Sequence, residues 1–397
     1  MKCVETPLRE IFTFSNGINF NKSAYSPGVK LIGVSNFGNR FSPDYEELQE
    51  INRKFVRIGD YLRNGDIIFV RSNGNKELVG RCMLIKDILQ PVTFSGFCIR
   101  ARIKNTREHD PTFFTYYFKS AAFRKAISGN AVGANIQNLS QERLSNYIAC
   151  VPDIVSQRKI ANILSTYDIL IENNQKQIKL LEEAAQRLYK EWFVDLRFPG
   201  HENTKITDGV PEGWSVQSIN DIAEYINGYA FKPSDWGNLG KPIIKIKEMG
   251  SGIASDTPRN TGESIPERYN VTAGDILFSW SATLSAKIWD EEDGLLNQHL
   301  FKVIPHGGVS REFVLQSILK TLDEFSNLTT GSTMKHIQRG KLKEVHIIVP
   351  NEQMMHIYES ISEPSREQIL KLKKRIVILQ EARDRLLPKL MSGEIEV

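Results

Sequence analysis

The chain has 397 residues, 41% hydrophobic and 25% charged, which fits two or three globular domains and excludes wholesale disorder. Its net charge of +4, from 51 Lys and Arg against 47 Asp and Glu, is too mild to announce nucleic acid, although a local basic face fits within such a total. No apolar run approaches the roughly 18 residues of a membrane helix, and no hydrophobic leader follows Met1, so a cytoplasmic protein without membrane contact is expected. Cys3, Cys82, Cys98 and Cys150 form no CxxC pair. Buried free thiols are therefore expected, with neither a disulfide framework nor a zinc ribbon.

Read in chain order, the sequence is written twice. Ile11-Phe12-Thr13-Phe14-Ser15-Asn16-Gly17-Ile18-Asn19-Phe20-Asn21-Lys22 returns as Ile222-Ala223-Glu224-Tyr225-Ile226-Asn227-Gly228-Tyr229-Ala230-Phe231-Lys232. Leu31-Ile32-Gly33-Val34 is answered by Ile243-Ile244-Lys245-Ile246, and Asn64-Gly65-Asp66-Ile67-Ile68-Phe69 by Ala273-Gly274-Asp275-Ile276-Leu277-Phe278. Gly133-Ala134-Asn135-Ile136-Gln137 matches Met334-Lys335-His336-Ile337-Gln338. Each half then reaches a strand closed by proline, Tyr147–Pro152 and Val345–Pro350. The Gly-Asp element reads as a turn feeding a buried strand: glycine supplies a positive φ, aspartate closes the turn, and the apolar run enters a sheet. Elements recurring in one order point to a duplicated α+β domain rather than two unrelated domains with common turns.

A long helix follows each copy. No proline or glycine occurs from Gln157 to about Arg197. Leu164, Ile171, Ile178, Ala185 and Trp192 recur every seven residues, with Tyr167, Asn174, Leu181 and Leu188 three residues after them, a heptad stripe. In the second half Ile369, Ile376 and Leu390 fill one position and Leu372, Leu379 and Leu386 the other, with Arg383 breaking the stripe. Pro364 suits the first turn of this helix, and Pro388 should kink or end it. Matching seams predict an antiparallel pair, with Asn174 either a buried register device or exposed at a frayed end; the alternative is that each helix packs on its own domain. At about 1.5 Å per residue, Leu164 to Trp192 spans about 42 Å, or roughly 12 base pairs of B-DNA. Two reading domains held so suggest a bipartite target with an unread gap. The boundaries drawn are 1–152 and 199–350 for the domains, and 153–198 and 351–397 for the helical regions.

Catalytic signatures are sparse. Neither Gly240-Lys241 nor Gly340-Lys341 completes a phosphate-binding GxxxxGK loop. No Asp/Glu-x-Lys triplet supplies a metal-dependent nuclease core, and no Asn-Pro-Pro or Asp-Pro-Pro precedes an aromatic as amino methylation needs. The 7 histidines form no HxxxH pair, and no GxSxG elbow is present. No catalytic residue, metal or cofactor is assigned to this chain.

A reading surface is legible. Arg71-Ser72-Asn73-Gly74-Asn75-Lys76 follows the first Gly-Asp strand and carries side chains that pair with guanine and adenine edges. Arg81, Arg100 and Arg102 lie near it in sequence. Its counterpart is Ser279-Trp280-Ser281-Ala282-Thr283-Leu284-Ser285, and Lys335 and His336 follow a Gly-Ser-Thr loop suited to phosphate. The DNA-contact candidates are Lys22, Arg71, Ser72, Asn73, Asn75, Lys76, Arg81, Asn135, Lys232, Lys245, Lys247, Trp280, Ser281, Lys335 and His336. One scaffold with different polar tips is what two different half-sites require.

This organisation resembles the specificity subunit of type I restriction-modification systems over essentially the whole chain. The resemblance rests on the duplicated domain order, the Gly-Asp-Ile-(Ile/Leu)-Phe strands, and the loops leading to Asn135-Ile136 and His336-Ile337. It rests also on Leu181-Glu182-Glu183-Ala184-Ala185-Gln186-Arg187-Leu188, Leu379-Gln380-Glu381-Ala382-Arg383-Asp384-Arg385-Leu386, Trp192-Phe193-Val194-Asp195 and Leu386-Leu387-Pro388-Lys389-Leu390-Met391-Ser392-Gly393. It implies two mixed α/β target recognition domains separated by two long antiparallel helices forming a coiled-coil-like spacer. The partners implied are double-stranded DNA, two methyltransferase subunits using S-adenosylmethionine on adenine, and motor subunits using ATP and Mg. This chain would supply the address, without chemistry. The base-reading loops vary across the family, so no contact residue transfers securely. The alternatives are an enzyme in its own right, a methylation-only system, or a coiled-coil protein with no DNA role.

Overall fold

The glycine-aspartate turn opens the central strand of a four-stranded antiparallel sheet in each half of the chain. Gly65 and Gly274 adopt φ of 92° and 102°, a region open to glycine at no steric cost. The Asp66 carboxylate accepts the Arg63 amide at 2.8 Å, and Asp275 accepts the Thr272 amide at 2.8 Å. The computed structural model describes residues 2–38, 40–74, 78–128, 138–281, 283–327 and 339–397. Contacts divide the chain into one unit of 1–173 with 376–397 and another of 174–375.

In the first unit, Phe12–Asn16, Cys98–Ile103, Ile67–Val70 and Cys82–Leu84 lie side by side in that order. A second sheet sets Tyr25–Ile32 between Gln49–Ile51 and Val92–Phe94, parallel to the latter. Cys3–Pro7 pairs with Ile148–Pro152. The second unit repeats this plan. Ala223–Asn227, Leu300–Pro305, Ile276–Ser279 and Ser285–Ile288 form its four-stranded sheet. Lys241–Ile244 runs parallel to Gly294–Leu296, and Ser215–Ser218 pairs with His346–Val349. The repeated Asn-Gly marks a close backbone approach in both copies. A Cβ on Gly17 would stand 2.3 Å from the Phe94 and Ser95 carbonyl oxygens, and one on Gly228 2.1 Å from the Asn297 carbonyl oxygen.

Each sheet buries one face under a capped helix. Pro111–Lys119 starts at Asp110, whose carboxylate accepts the Phe113 amide, and packs Phe113, Phe114 and Phe118 against Phe12 and Phe69. Arg311–Lys320 starts at Ser310 and packs Phe313, Val314 and Ile318 with Phe278 and Phe301. Such caps satisfy an amide that the first helical turn leaves without a partner.

The central helix, Ile154–Tyr189, continues into a wider turn over Lys190–Val194. The terminal helix is Glu352–Ser392. Within each unit the two run antiparallel. In the first, Leu164 shares a core with Leu390, and Asp168 meets Arg383 at 2.5 Å. In the second, Glu182 meets Lys373 at 4.0 Å, and the rings of Trp192 and Tyr358 lie 6.0 Å apart. Leu164, Ile171, Asn174, Ile178, Leu372 and Leu390 are buried. Leu181, Leu188, Ile369, Ile376, Leu379 and Leu386 are half-buried. Asn174 is therefore a buried polar group rather than a frayed end, and its amide nitrogen has no hydrogen-bond partner among the described residues.

Two expectations are corrected, and one interruption of the heptad pattern is explained. Pro364 lies well inside the terminal helix, which begins at Glu352, and Pro388 does not end it. Each proline deletes one intrahelical bond, but Met354, Met355 and Tyr358 on one side and Leu390 on the other anchor the helix in cores. Cys3 and Cys150 are not buried thiols: they stand exposed on paired strands and form a disulfide, with Cα atoms 5.4 Å apart. Cys82 and Cys98 are free and buried. Finally, Arg383, which interrupts the heptad pattern, is paired rather than misplaced. Asp168 on the central helix takes its guanidinium and also accepts the Tyr116 hydroxyl. Burial and the Asp168 charge both push the Tyr116 hydroxyl up, keeping it a donor.

Removing one partner of this cluster leaves a buried charge, so Asp168→Ala or Arg383→Ala should each cost about 3 kcal/mol in a denaturant titration. The double leucine variant should cost less than either; equal or larger loss would show that the pair is not a closed unit. Glu312 is buried, and burial raises its carboxyl above the ordinary range. Its charged form is thus a penalty, present at neutral pH and relieved as pH falls below the folded-state value. Glu312→Gln should stabilise the protein at pH 7, with the gain shrinking toward acid; a pH-independent difference would refute this.

Candidate nucleic-acid interface

The end of each central strand pair is where the sheet stops and polar loops begin. In the first domain the ladder runs Ile67↔Ala101, Ile68↔Arg100, Phe69↔Ile99 and Val70↔Cys98. Arg71 and Ser72 follow, and both amides donate to the Phe97 carbonyl, at 2.8 and 3.4 Å. Arg71 Nη1 reaches the Gly96 carbonyl at 3.4 Å. On the other side, Ser72 bridges Asn138, and the Leu139 amide donates to the Arg71 carbonyl at 2.9 Å. Arg71, Ser72 and Asn73 are thus gathered, half-buried, beside the chain that enters at Asn138. Asn75, Lys76 and Asn135 lie outside the described residues.

The second domain ends its ladder at Ser279↔Leu300, so Trp280 takes the place of Arg71. Its ring lies 6.0 Å from the His299 ring and 5.9 Å from the Phe301 ring. Ser281 is buried, and its carbonyl accepts the Ser279 hydroxyl at 3.2 Å. Its backbone thus supports the turn, and its buried side chain is no surface contact. Lys335 and His336 lie outside the described residues.

The other candidates are dispersed. Lys22 is exposed on the turn after the first Asn-Gly segment, and Lys232 is exposed with its amide held by Asp235 at 2.7 Å. Lys245 sits 5.4 Å from the Trp236 ring and 3.9 Å from Glu248. Lys247 pairs with Asp256 at 2.9 Å, a bond that raises its ammonium above the ordinary lysine value and lowers the carboxyl. Arg81 faces elsewhere. It lines a cavity of about 420 Å³ with Lys119, Arg124, Asp168 and Arg383, against the terminal helix. Burial holds the Lys119 ammonium below its ordinary value.

Arg100 and Arg102, near the loop in sequence, are structural. Arg102 grips buried Asp66 through two bonds of 2.6 and 2.7 Å. Arg100 donates to the Gly59 carbonyl at 2.8 Å and the Tyr61 carbonyl at 3.3 Å. Their alternation on one strand face gave no means of telling a reader from a clamp. Among the described residues, no group of three His, Cys, Asp or Glu side chains could hold a metal ion.

The model of the type I restriction modification DNA specificity domain matches residues 2–183 and 211–375. The chain belongs to that family. The two matched segments fall one on each repeat, as the duplicated sheets require. Among the specificity-domain relatives, the type I restriction enzyme MjaIX specificity subunit of Methanocaldococcus jannaschii is 25% identical over 72% of this chain and 69% of its own length. The HindI specificity subunit of Haemophilus influenzae is 22% identical over 95% of this chain and 96% of its own. A crystal structure of a type I restriction-modification S subunit from M. genitalium shares the fold, with a TM-score of 0.59 at 15% identity, covering 98% of this chain and 96% of that one.

The two kinds of arginine separate in one experiment. Arg102→Ala should lower stability by about 3 kcal/mol, because Asp66 is left buried without its counter-charge, keeping only the Arg63 amide. Arg71→Ala should leave the thermal midpoint nearly unchanged and weaken DNA binding. Equal midpoints for both variants would contradict the clamp assignment.

Proposed function

We propose that this chain is the DNA-specificity subunit of a type I restriction-modification complex. The observation that carries the reading is one duplicated scaffold whose equivalent ladder ends bear different side chains, Arg71 in one domain and Trp280 in the other. Each domain reads one half of a bipartite duplex target, phosphates fixing its register and base edges or DNA shape giving specificity. The central and terminal helices set the gap between half-sites. Their exposed apolar residues, among them Ile169, Leu180, Val377 and Ile378, offer docking surface to two methyltransferase subunits.

The chain itself is non-catalytic and carries no cofactor. S-adenosylmethionine belongs to the methyltransferase subunits, and ATP with Mg to motor subunits. Among the described residues, no helix is long and apolar enough to cross a membrane; the proposed location is the cytoplasm, beside chromosomal DNA.

Co-expression with the methyltransferase subunits, followed by single-molecule mapping of methylated adenine, tests this. The expected result is a split motif with one methylated adenine per half, lost when this chain is deleted. Methylation unaffected by the deletion, or methyl transfer by the isolated chain, would overturn it. Inserting seven residues into the central helix should change the gap or abolish methylation, since the spacing is mechanical; an unchanged gap would show that the helix is not the ruler.

A further inference from the structure

One step beyond the last rung of each central ladder, an aromatic ring and a hydrogen-bonding side chain stand across the turn from each other. The first domain places Arg71 opposite Phe97, one step beyond Val70↔Cys98. The second places Trp280 opposite His299, one step beyond Ser279↔Leu300. The pairs are equivalent in position, with the ring exchanged between strands. Neither Phe97 nor His299 stands out in the sequence, because each sits in the turn before the strand that carries no Gly-Asp signal.

The Phe97 ring is 61% exposed, yet its backbone is fixed on several sides. The Gly96 amide donates to the Ile18 carbonyl at 2.7 Å, and the Phe97 amide to Ser95 Oγ at 3.3 Å. The Phe97 carbonyl takes the Arg71 and Ser72 amides. A Cβ on Gly96 would stand 2.1 Å from Asn19 Oδ1, so glycine lets the turn close. A large ring on a fixed turn loses little conformational freedom on binding. The ring of Trp280, by contrast, lies over His299 and Phe301.

We infer that Phe97 is a specificity-determining residue that inserts its ring against a base-pair step in the half-site read by the first domain. The inference rests on the DNA-specificity reading above. An apolar ring pushed into a step partly unstacks it, and pyrimidine–purine steps yield most easily. Phe97 thereby reads deformability, while Arg71 beside it contacts phosphate or a base edge in the same groove and holds the register. The second domain reads through Trp280 and His299 at the equivalent place, with its ring already laid against the sheet.

The test uses the full chain in complex with its methyltransferase subunits. The unmodified complex supplies the motif by adenine mapping, and a duplex bearing that motif serves as the binding probe. Phe97→Ala should bind it on the order of tenfold more weakly, with methylation relaxing at positions in one half-site. Phe97→Leu should fall between, and His299→Ala should alter the other half-site. The thermal midpoint of Phe97→Ala should stay unchanged, since the ring is exposed. An unaltered motif and affinity in Phe97→Ala, or equal relaxation of both halves, would overturn the inference while leaving the specificity reading intact. An unmodified chain that directs no methylation would instead sink that reading, and this inference with it.

Discussion

Asp168 is the joint on which the first unit turns. Its carboxylate, on the central helix, takes a hydroxyl from Tyr116 of the recognition domain and a guanidinium from Arg383 of the terminal helix. One buried anion thus ties a domain and two helices together. A buried pair is costly to desolvate and gains only if its geometry is complete. The arrangement therefore penalises a shifted register more than it rewards the correct one. An apolar seam tolerates sliding; a seam interrupted by one charge pair does not. Leu164 and Leu390 then close the apolar contact beside it.

The second unit solves the same problem with different charges. Lys373 of the terminal helix lies 2.9 Å from Asp290, just beyond the strand Ser285–Ile288, and 4.0 Å from Glu182 of the central helix. Burial pushes the Asp290 carboxyl up, but Lys373 and Lys287 hold it low on balance. At the matching place in the first unit, beyond Cys82–Leu84, Lys86 lies 3.4 Å from Glu172 of the central helix. Duplicated domains thus clasp their helices with opposite polarity. Lys86 in front of Lys373, or Asp290 in front of Glu172, would set like charges together. The charges give each domain a preferred helix segment even though the sheets are copies.

Much of this was legible because repetition is visible without knowing the fold. Gly65 and Gly274 are required by left-handed turns, and Gly17 and Gly228 by backbone contact, so the copies retain them while surfaces diverge. The heptad stripe located both helices, and even its flaw at Arg383 was informative once Asp168 was found opposite. Proline misled at Pro364 and Pro388, because local propensity is weak against a helix anchored in two cores. Cys3 and Cys150 were unreadable as a pair, since strand pairing between distant segments sets their meeting. The reading residues were hardest. Arg102 on the sheet and Arg71 just beyond its edge are the same residue type, and only the buried Asp66 separates clamp from candidate contact.

That difficulty follows from the division of labour in the fold. The residues that repeat are those with a backbone or core obligation: the Gly-Asp turns, the Phe69 and Phe278 positions, the Asn-Gly approaches. The residues at the ladder ends have lighter ones, a single side-chain bond for Arg71 and packing at the edge of the core for Trp280, so Arg71 and Phe97 can stand where Trp280 and His299 stand on the same scaffold. A site whose side chains are only lightly constrained by folding can change its target without changing its frame. Its chemistry is then invisible to any pattern based on packing, and its position is fixed by the frame alone. The ladder end is therefore a stronger pointer to the reading surface than any residue placed on it.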